Sequence, residues 1–155
     1  MNEQEKQATL TAVRLLAATP KSRKRLKQKL EERGFPSEMI NIVLNRLEKQ
    51  GVLNDRNLAA SLFQTYSIYR PSGRKRIIFE MGKRGIGERA IDETLENYTA
   101  QAEREKALEL AKAKAFRWQK LEKIKRQKKI YDFLLRRGFD YGIARAVLEE
   151  IETAA

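Results

Sequence analysis

Three arginine–glycine pairs, Arg33-Gly34, Arg84-Gly85 and Arg137-Gly138, recur at intervals of 51 and 53 residues. Each has two cations at the same distance upstream: Lys24 and Arg25, Lys75 and Arg76, Lys128 and Lys129, ten and nine residues before the glycine. Nine internally matched cations suit one kind of chemistry, the binding of phosphate. An arginine fork donates two hydrogen bonds to phosphate oxygens at once, and a lysine adds a compact, mobile charge. Bond-making chemistry is poorly provided for. The chain has no histidine and no cysteine, which removes the commonest general base, the commonest transition-metal ligand and every thiolate.

No Gly-x-x-x-x-Gly-Lys-Ser/Thr loop is present to hold ATP. Gly82-Lys-Arg-Gly85 has the spacing of a KH-domain loop, but it sits at a helix end with no strands around it. The acids Asp92, Glu93 and Glu96 fall on an outward helix face and read as solvated charge. Neither enzymatic activity nor a cofactor nor a metal is expected.

The elements that carry the cations follow from periodicity. Each glycine has an apolar residue eight before it and another four before it: Leu26 and Leu30, Ile77 and Met81, Ile130 and Leu134. Four-residue spacing is one helical turn, so each glycine closes a helix with a narrow apolar stripe. A glycine just past a helix end takes the left-handed conformation, and the next apolar residue (Phe35, Ile86, Phe139) packs back on the helix. Ser22 and Ser72 are expected N-caps for the first two of these helices.

A second helix follows each glycine, with apolar faces Met39/Ile40/Val43/Leu44/Leu47, Ala90/Ile91/Thr94/Leu95/Tyr98 and Ile143/Ala144/Val147/Leu148/Ile151, the last capped by Asp140. A third opens each repeat: residues 5–18 with Leu10, Val13 and Ala17 inward; residues 56–69, after the cap signal Asn54-Asp55, with Leu58, Leu62, Phe63 and Tyr66; and a helix from about Glu103 with Leu108, Ala111, Ala115 and Trp118. Trp118, Phe116 and the Tyr66/Tyr69 pair are expected to pack in the core or between repeats. The prediction is an all-α chain of three tandem three-helix repeats resembling helix-turn-helix units, over residues 5–50, 51–99 and 103–152. Repeats with a period of 20–50 residues stack on their neighbours because one alone buries little surface.

Charge is distributed in the same pattern. The apolar fraction is 41% and the charged fraction 35%, a balance that fits a thin, elongated helical protein. Of a formal net charge of +12, residues 21–33 carry +5, residues 70–89 another +5, and residues 112–137 carry +9, leaving −7 elsewhere. A surface kept merely for solubility mixes its signs; this concentration points to a polyanion. No apolar run approaches the roughly 18 residues that span a bilayer, and the polar start Met1-Asn-Glu-Gln-Glu-Lys does not read as a signal peptide. A cytoplasmic monomer with no membrane partner is expected.

At about 100° per residue, Leu26 and Leu30 share one side of their helix while Lys24 and Arg25 face away, and the later copies repeat the arrangement. Cations at a helix start oppose the dipole by roughly 0.3–1 kcal/mol each, so their recurrence reads as functional. Free N–H groups at those starts would add to a phosphate site. The candidate nucleic-acid residues are Lys24, Arg25, Arg33, Arg70, Arg74, Lys75, Arg76, Lys83, Arg84, Lys125, Arg126, Lys128, Lys129, Arg136 and Arg137. Nothing encodes base reading, so backbone-dominated, salt-dependent binding to single- and double-stranded DNA is expected. Phe79 lies opposite Ile77 and Met81; it either packs on another helix of its repeat or is an exposed anchor for a protein partner.

The motifs resemble the RecX family, regulators of the RecA recombinase. The resemblance runs through Ser22-Arg-Lys-Arg-Leu26-Lys-Gln-Lys-Leu30-Glu-Glu-Arg-Gly-Phe35, Leu47-Glu-Lys-Gln-Gly-Val-Leu-Asn-Asp-Arg-Asn-Leu-Ala59, Arg76-Ile-Ile-Phe-Glu80-Met-Gly-Lys-Arg-Gly-Ile86 and Phe133-Leu-Leu-Arg-Arg-Gly-Phe139. It covers nearly the whole chain in order. The chain departs from the family pattern at Arg25, usually glutamate, and at Val52, Asn54, Asn57 and Leu58. The resemblance implies an elongated, curved helical array lying in the groove of the RecA–DNA filament. There it would restrain ATP hydrolysis, strand exchange and the coprotease activity behind the DNA-damage (SOS) response. The alternative is a stand-alone, sequence-tolerant nucleic-acid-binding protein. On the filament reading, changing Lys24, Arg25, Lys75 and Arg76 to glutamate is expected to keep the fold and lose filament inhibition.

Overall fold

The computed structural model describes residues 2–154, and every regular element among them is helical. In order these are α1 (Glu3–Ala18), α2 (Arg23–Glu32), α3 (Ser37–Lys49), α4 (Asp55–Gln64), α5 (Arg74–Lys83), α6 (Glu88–Leu95), α7 (Ala100–Arg117), α8 (Lys123–Arg136) and α9 (Tyr141–Ala154). A π-helical turn, Thr65–Tyr69, extends α4. Among the described residues no helix is long and apolar enough to cross a membrane. The chain divides into two compact units, one of residues up to Ser61 with Met81–Asp92, the other of Leu62–Glu80 with the residues from Glu93 onward. The division falls within α4, α5 and α6, so the middle helices contribute to both.

The Gly-ended helices α2, α5 and α8 bury the stripe that their spacing implies. Leu26, Leu30, Ile77, Met81, Ile130 and Leu134 are all buried. Each contributes roughly 1.5–3 kcal/mol relative to an exposed side chain. Their ends are superposable in hydrogen bonding. The glycine N–H donates three residues back (Gly34 to Glu31, Gly85 to Gly82, Gly138 to Leu135), and the next residue donates five back (Phe35 to Leu30, Ile86 to Met81, Phe139 to Leu134). That paired pattern needs a left-handed residue, and the three glycines have φ of 85°, 83° and 89°.

The helices after each glycine also keep their expected faces, with one correction. Ile40, Val43, Leu44, Leu47, Ile91, Leu95, Ala144 and Val147 are buried. Tyr98 is buried as well, but not on a helix: α6 stops at Leu95 because Thr99 must be extended to cap α7, where its hydroxyl accepts from Ala102 N–H at 3.0 Å.

The opening helix of the first repeat, α1, overturns the expected face, whereas α4 with its π-helical turn buries Leu62 and Tyr66 and α7 buries Ala111 on the faces expected. Leu10 and Val13 are 49% and 41% exposed, and Ala17 is exposed, while Ala8 and Ala12 are fully buried. In α7 the fully buried residues are Ala107 and Ala111, with Leu108, Ala115 and Trp118 only partly covered. Small side chains let helix backbones approach, so alanines four apart form the seam while the larger residues fall beside it or outside. A hydrophobicity rank places leucine inside by default and misses this.

Candidate nucleic-acid interface

Two of the basic helix starts are occupied by acids rather than left open for phosphate. Asp55, the first residue of α4, accepts the Arg23 N–H at the start of α2 through Oδ1 at 2.8 Å, and Ser22 Oγ accepts from Arg25 N–H at 3.1 Å. Glu103 of α7 accepts the Arg74 N–H at the start of α5 through Oε2 at 2.7 Å. Ser72 is therefore not the cap expected of it. It lies one residue too early, and its hydroxyl donates instead to Arg70 O at 2.6 Å. The expectation of free N–H groups at these two starts is corrected: the protein's own carboxylates satisfy the positive helix end.

A second arrangement explains part of the basic recurrence. Within the first unit the glycine end of α5 lies against the start of α2: Arg25 Nη2 donates to Lys83 O at 2.6 Å, and a Cβ on Gly85 would stand 2.6 Å from Ser22 Oγ. Within the second unit the glycine end of α8 lies against the start of α5. There Gly73 N–H donates to Arg137 O at 2.7 Å and Lys75 N–H to Gly138 O at 3.2 Å. The carbonyl-rich negative end of one helix thus meets the positive start of another. Gly73 and Gly138 face each other at this junction, and a Cβ on Gly138 would sit 2.4 Å from both the backbone N and the Cβ of Arg76. At the first glycine end nothing lies within 4 Å of a Cβ added to Gly34.

These contacts sort the candidate cations. Lys24, Lys75 and Lys128 are exposed, and none forms an ion pair among the described residues. Arg33, Arg70, Lys83, Lys125, Lys129 and Arg136 are also exposed, while Arg84 is half-buried. Arg25 bonds the end of α5, as above, and Arg76 pairs with the buried Glu80 at 3.2 Å. Arg74 is half-buried; its guanidinium donates to Tyr98 O and lies 5.9 Å over the Tyr98 ring. Arg126 is half-buried and donates to Leu121 O at 2.9 Å. Arg25, Arg74, Arg76 and Arg126 are therefore engaged in holding the fold.

The structure brings one group of cations together without acids. Arg137 lies 5.2 Å over Phe133 and reaches Pro71 O at 3.4 Å. Burial, then the Arg76 and Arg70 charges, hold its pKa below the usual arginine range. Lys114 stands 4.6 Å over Phe133 and 5.3 Å over Trp118, and Lys129 stands 5.0 Å over Trp118. Burial, Arg117 and Arg137 together depress the Lys114 pKa. Neither Lys114 nor Arg117 was among the sequence candidates. The available signal was the four-residue spacing of Lys114 to Trp118 and of Phe133 to Arg137, which stacks each cation on a ring one turn away.

The other aromatic expectations divide. Tyr66 is buried, but Tyr69 and Phe116 are 72% and 73% exposed, so their assignment to packing is overturned. Tyr69 closes the π-helical turn, whose extra residue rotates it away from the face continued from α4. Phe116 lies in the last turn of α7, off the seam of Ala107 and Ala111. Phe79 is 62% exposed beside Ile78 at 41%, which leaves the exposed alternative for that residue.

Comparison with known proteins agrees across the chain. Residues 8–47 match the family model "RecX, first three-helix domain", and residues 101–148 match "RecX, third three-helix domain". A regulatory protein RecX from Chlorobium phaeobacteroides is 36% identical over 147 residues, covering 95% of both chains. Another from Streptomyces coelicolor is 28% identical over 144 residues, covering 93% of this chain and 77% of that one. The crystal structure of RecX from Lactobacillus salivarius aligns with a TM-score of 0.85 and 26% identity over 99% of both chains. With helical repeats, matched Gly-ended helices and relatives that cover nearly all of it, the chain belongs to the RecX family of regulatory proteins.

Proposed function

We propose that this protein modulates a RecA-type recombinase, lying in the groove of the recombinase–DNA filament and restraining ATP hydrolysis, strand exchange and coprotease activity. Family membership supports the class of partner. The observation that carries the DNA side is the set Lys24, Lys75 and Lys128. They hold one position on three equivalent helices, all exposed and none paired with a carboxylate among the described residues. Contacts from such lysines go to phosphates and are strongly salt-dependent. Exposed Phe79 and Ile78, on the same helix as Lys75, offer apolar contact to the recombinase.

The test is DNA-dependent ATP hydrolysis by the cognate recombinase with equimolar protein. Inhibition is expected from the wild type. The Lys24→Glu/Lys75→Glu/Lys128→Glu variant should keep its helicity and melting temperature yet need at least about tenfold more protein for half inhibition, as expected for several lost phosphate contacts. An unchanged ATPase rate with wild-type protein would refute the recombinase reading. Full inhibition by the triple variant would refute the role given to the lysines.

A further inference from the structure

We infer that the cation-covered aromatic face made by Trp118 and Phe133 is a stacking site for unpaired bases of a single-stranded nucleic acid. This deepens the nucleic-acid reading above and rests on it. On that reading the matched lysines supply phosphate contacts on all three Gly-ended helices, but this face has no counterpart in the other two. The position of Phe133, five before its glycine, is Lys29 in α2 and Glu80 in α5, and Trp118 is the single tryptophan of the chain. Both rings are half-buried, with one side packed on the core of Ala107, Ala111, Ile130 and Leu134.

What covers the remainder is positive charge. Lys114, Lys129 and Arg137 lie 4.6–5.3 Å from the ring centres. None of the three forms an ion pair with a carboxylate among the described residues. Cations crowded on rings without counter-ions are held weakly against their mutual repulsion, and a phosphodiester satisfies them better than a ring does. When the ammonium groups swing onto phosphates, the ring faces they leave are open to bases. Base–aromatic stacking is sequence-tolerant because every base has a π face. In a duplex the bases are already stacked and paired, so the same backbone charge gains nothing from the rings. DNA and RNA single strands share this chemistry.

Tryptophan emission reports on the site directly, since Trp118 is the only source. Titration with oligo-dT at low salt, with oligo-U as the RNA arm, should quench the emission. A duplex, or an abasic oligodeoxynucleotide of the same length and charge, should bind by anisotropy without comparable quenching. Trp118→Leu should lower oligo-dT affinity about 5- to 150-fold, the equivalent of one stacked base, while duplex affinity stays within about twofold. Trp118→Phe should retain most of the single-strand affinity. Equal emission changes with oligo-dT and the abasic strand would overturn the stacking site while leaving the phosphate contacts standing. Equal loss of duplex and single-strand affinity in Trp118→Leu would do the same. If no strand binds even at low salt, the nucleic-acid reading falls and this site with it. Quenching by oligo-dT together with an unaffected recombinase ATPase would keep the site and reject the recombinase.

Discussion

Substituting alanine at Gly34 and at Gly138 separates two costs that the sequence cannot distinguish. Both glycines have positive φ, 85° and 89°, and both close equivalent helices. An L-residue in that region costs roughly 1–2 kcal/mol. At Gly34 this is the whole cost, because nothing lies within 4 Å of the added methyl. At Gly138 the methyl would meet Arg76 N and Cβ at 2.4 Å and Arg76 Cα at 2.9 Å. Those are backbone and near-backbone atoms fixed in the first turn of α5, so the helix end must move away. Overpacking of this kind adds typically about 1–3 kcal/mol, for a total of about 2–5 kcal/mol. For a chain of this size 1 kcal/mol shifts the melting temperature by roughly 2–4 °C. Gly34→Ala should therefore lower it by about 2–8 °C and Gly138→Ala by about 4–20 °C in melts followed by circular dichroism at 222 nm. Equal losses in the two variants would refute the reasoning, because they would mean that the α8 end exerts no constraint on the start of α5.

The acids at the helix starts give a paired prediction. Asp55→Ala should cost about 0.5–2 kcal/mol, the usual value of a lost cap. Glu103→Ala should cost more, since Glu103 is buried and its loss leaves the Arg74 N–H unsatisfied; denaturant titration of each variant measures both. The buried Tyr98 hydroxyl donates to Ser72 O at 2.9 Å, and burial together with the Glu103 carboxylate raises its pKa. Above about pH 10 the unfolded tyrosine loses its proton while the folded one retains it. That contribution to stability is complete below the unfolded pKa and declines as pH rises through the window above it. Tyr98→Phe should cost about 1 kcal/mol at neutral pH and progressively less toward pH 11. A constant difference across that range would count against burial of the neutral phenol. In duplex binding, the Lys24/Lys75/Lys128 triple variant should lower the slope of log affinity against log salt by about 2.7, which amounts to about 40-fold between about 50 and 200 mM; an unchanged slope would show that these lysines do not touch phosphate.

The parts of the fold legible in the sequence were those governed by local chemistry. A glycine after an apolar stripe encodes its own left-handed end, and Ser22, Asn54 and Asp140 cap their own helices, Asn54 and Asp140 accepting from Asn57 and Ile143 N–H at 3.1 and 2.9 Å. What was not legible depends on residues distant in the chain. Glu103 reaches Arg74 across 29 positions and Asp55 reaches Arg23 across 32, so no local pattern marks either as a cap. The alanine seam of α1 and the place of Ala107 in that of α7 are not legible for a related reason. Burial of Ala8 and Ala107 is decided by how closely another helix approaches, not by the hydrophobicity of alanine.

That distinction bears on which cations carry function. Cation pairs in the first turns of α2 and α5, against the dipole, point to phosphate when each helix is considered alone, whereas the matched pair Lys128 and Lys129 lies in the second turn of α8. Yet the start of α2 also adjoins the end of α5, and the start of α5 adjoins the end of α8. The same side chains therefore stand beside a negative helix end as well as a positive one. Arg25, on the Lys83 carbonyl, is stabilised by that neighbour, and Arg76 is tied to Glu80 and packed against Gly138. The recurrence of those two arginines has a structural cause and is no evidence for a ligand. A Lys24/Arg25/Lys75/Arg76→Glu variant, expected from sequence to fold normally, would break both junctions and place carboxylates against helix carbonyls. Loss of function in it would reflect misfolding. The lysines are different. Lys24 and Lys75 share the same helix turns and dipole penalty but have no carboxylate partner among the described residues, and Lys128 recurs on α8, whose start makes no side-chain cap hydrogen bond. With no carboxylate partner among the described residues, these exposed lysines are the cations that the function proposed above assigns to an external polyanion.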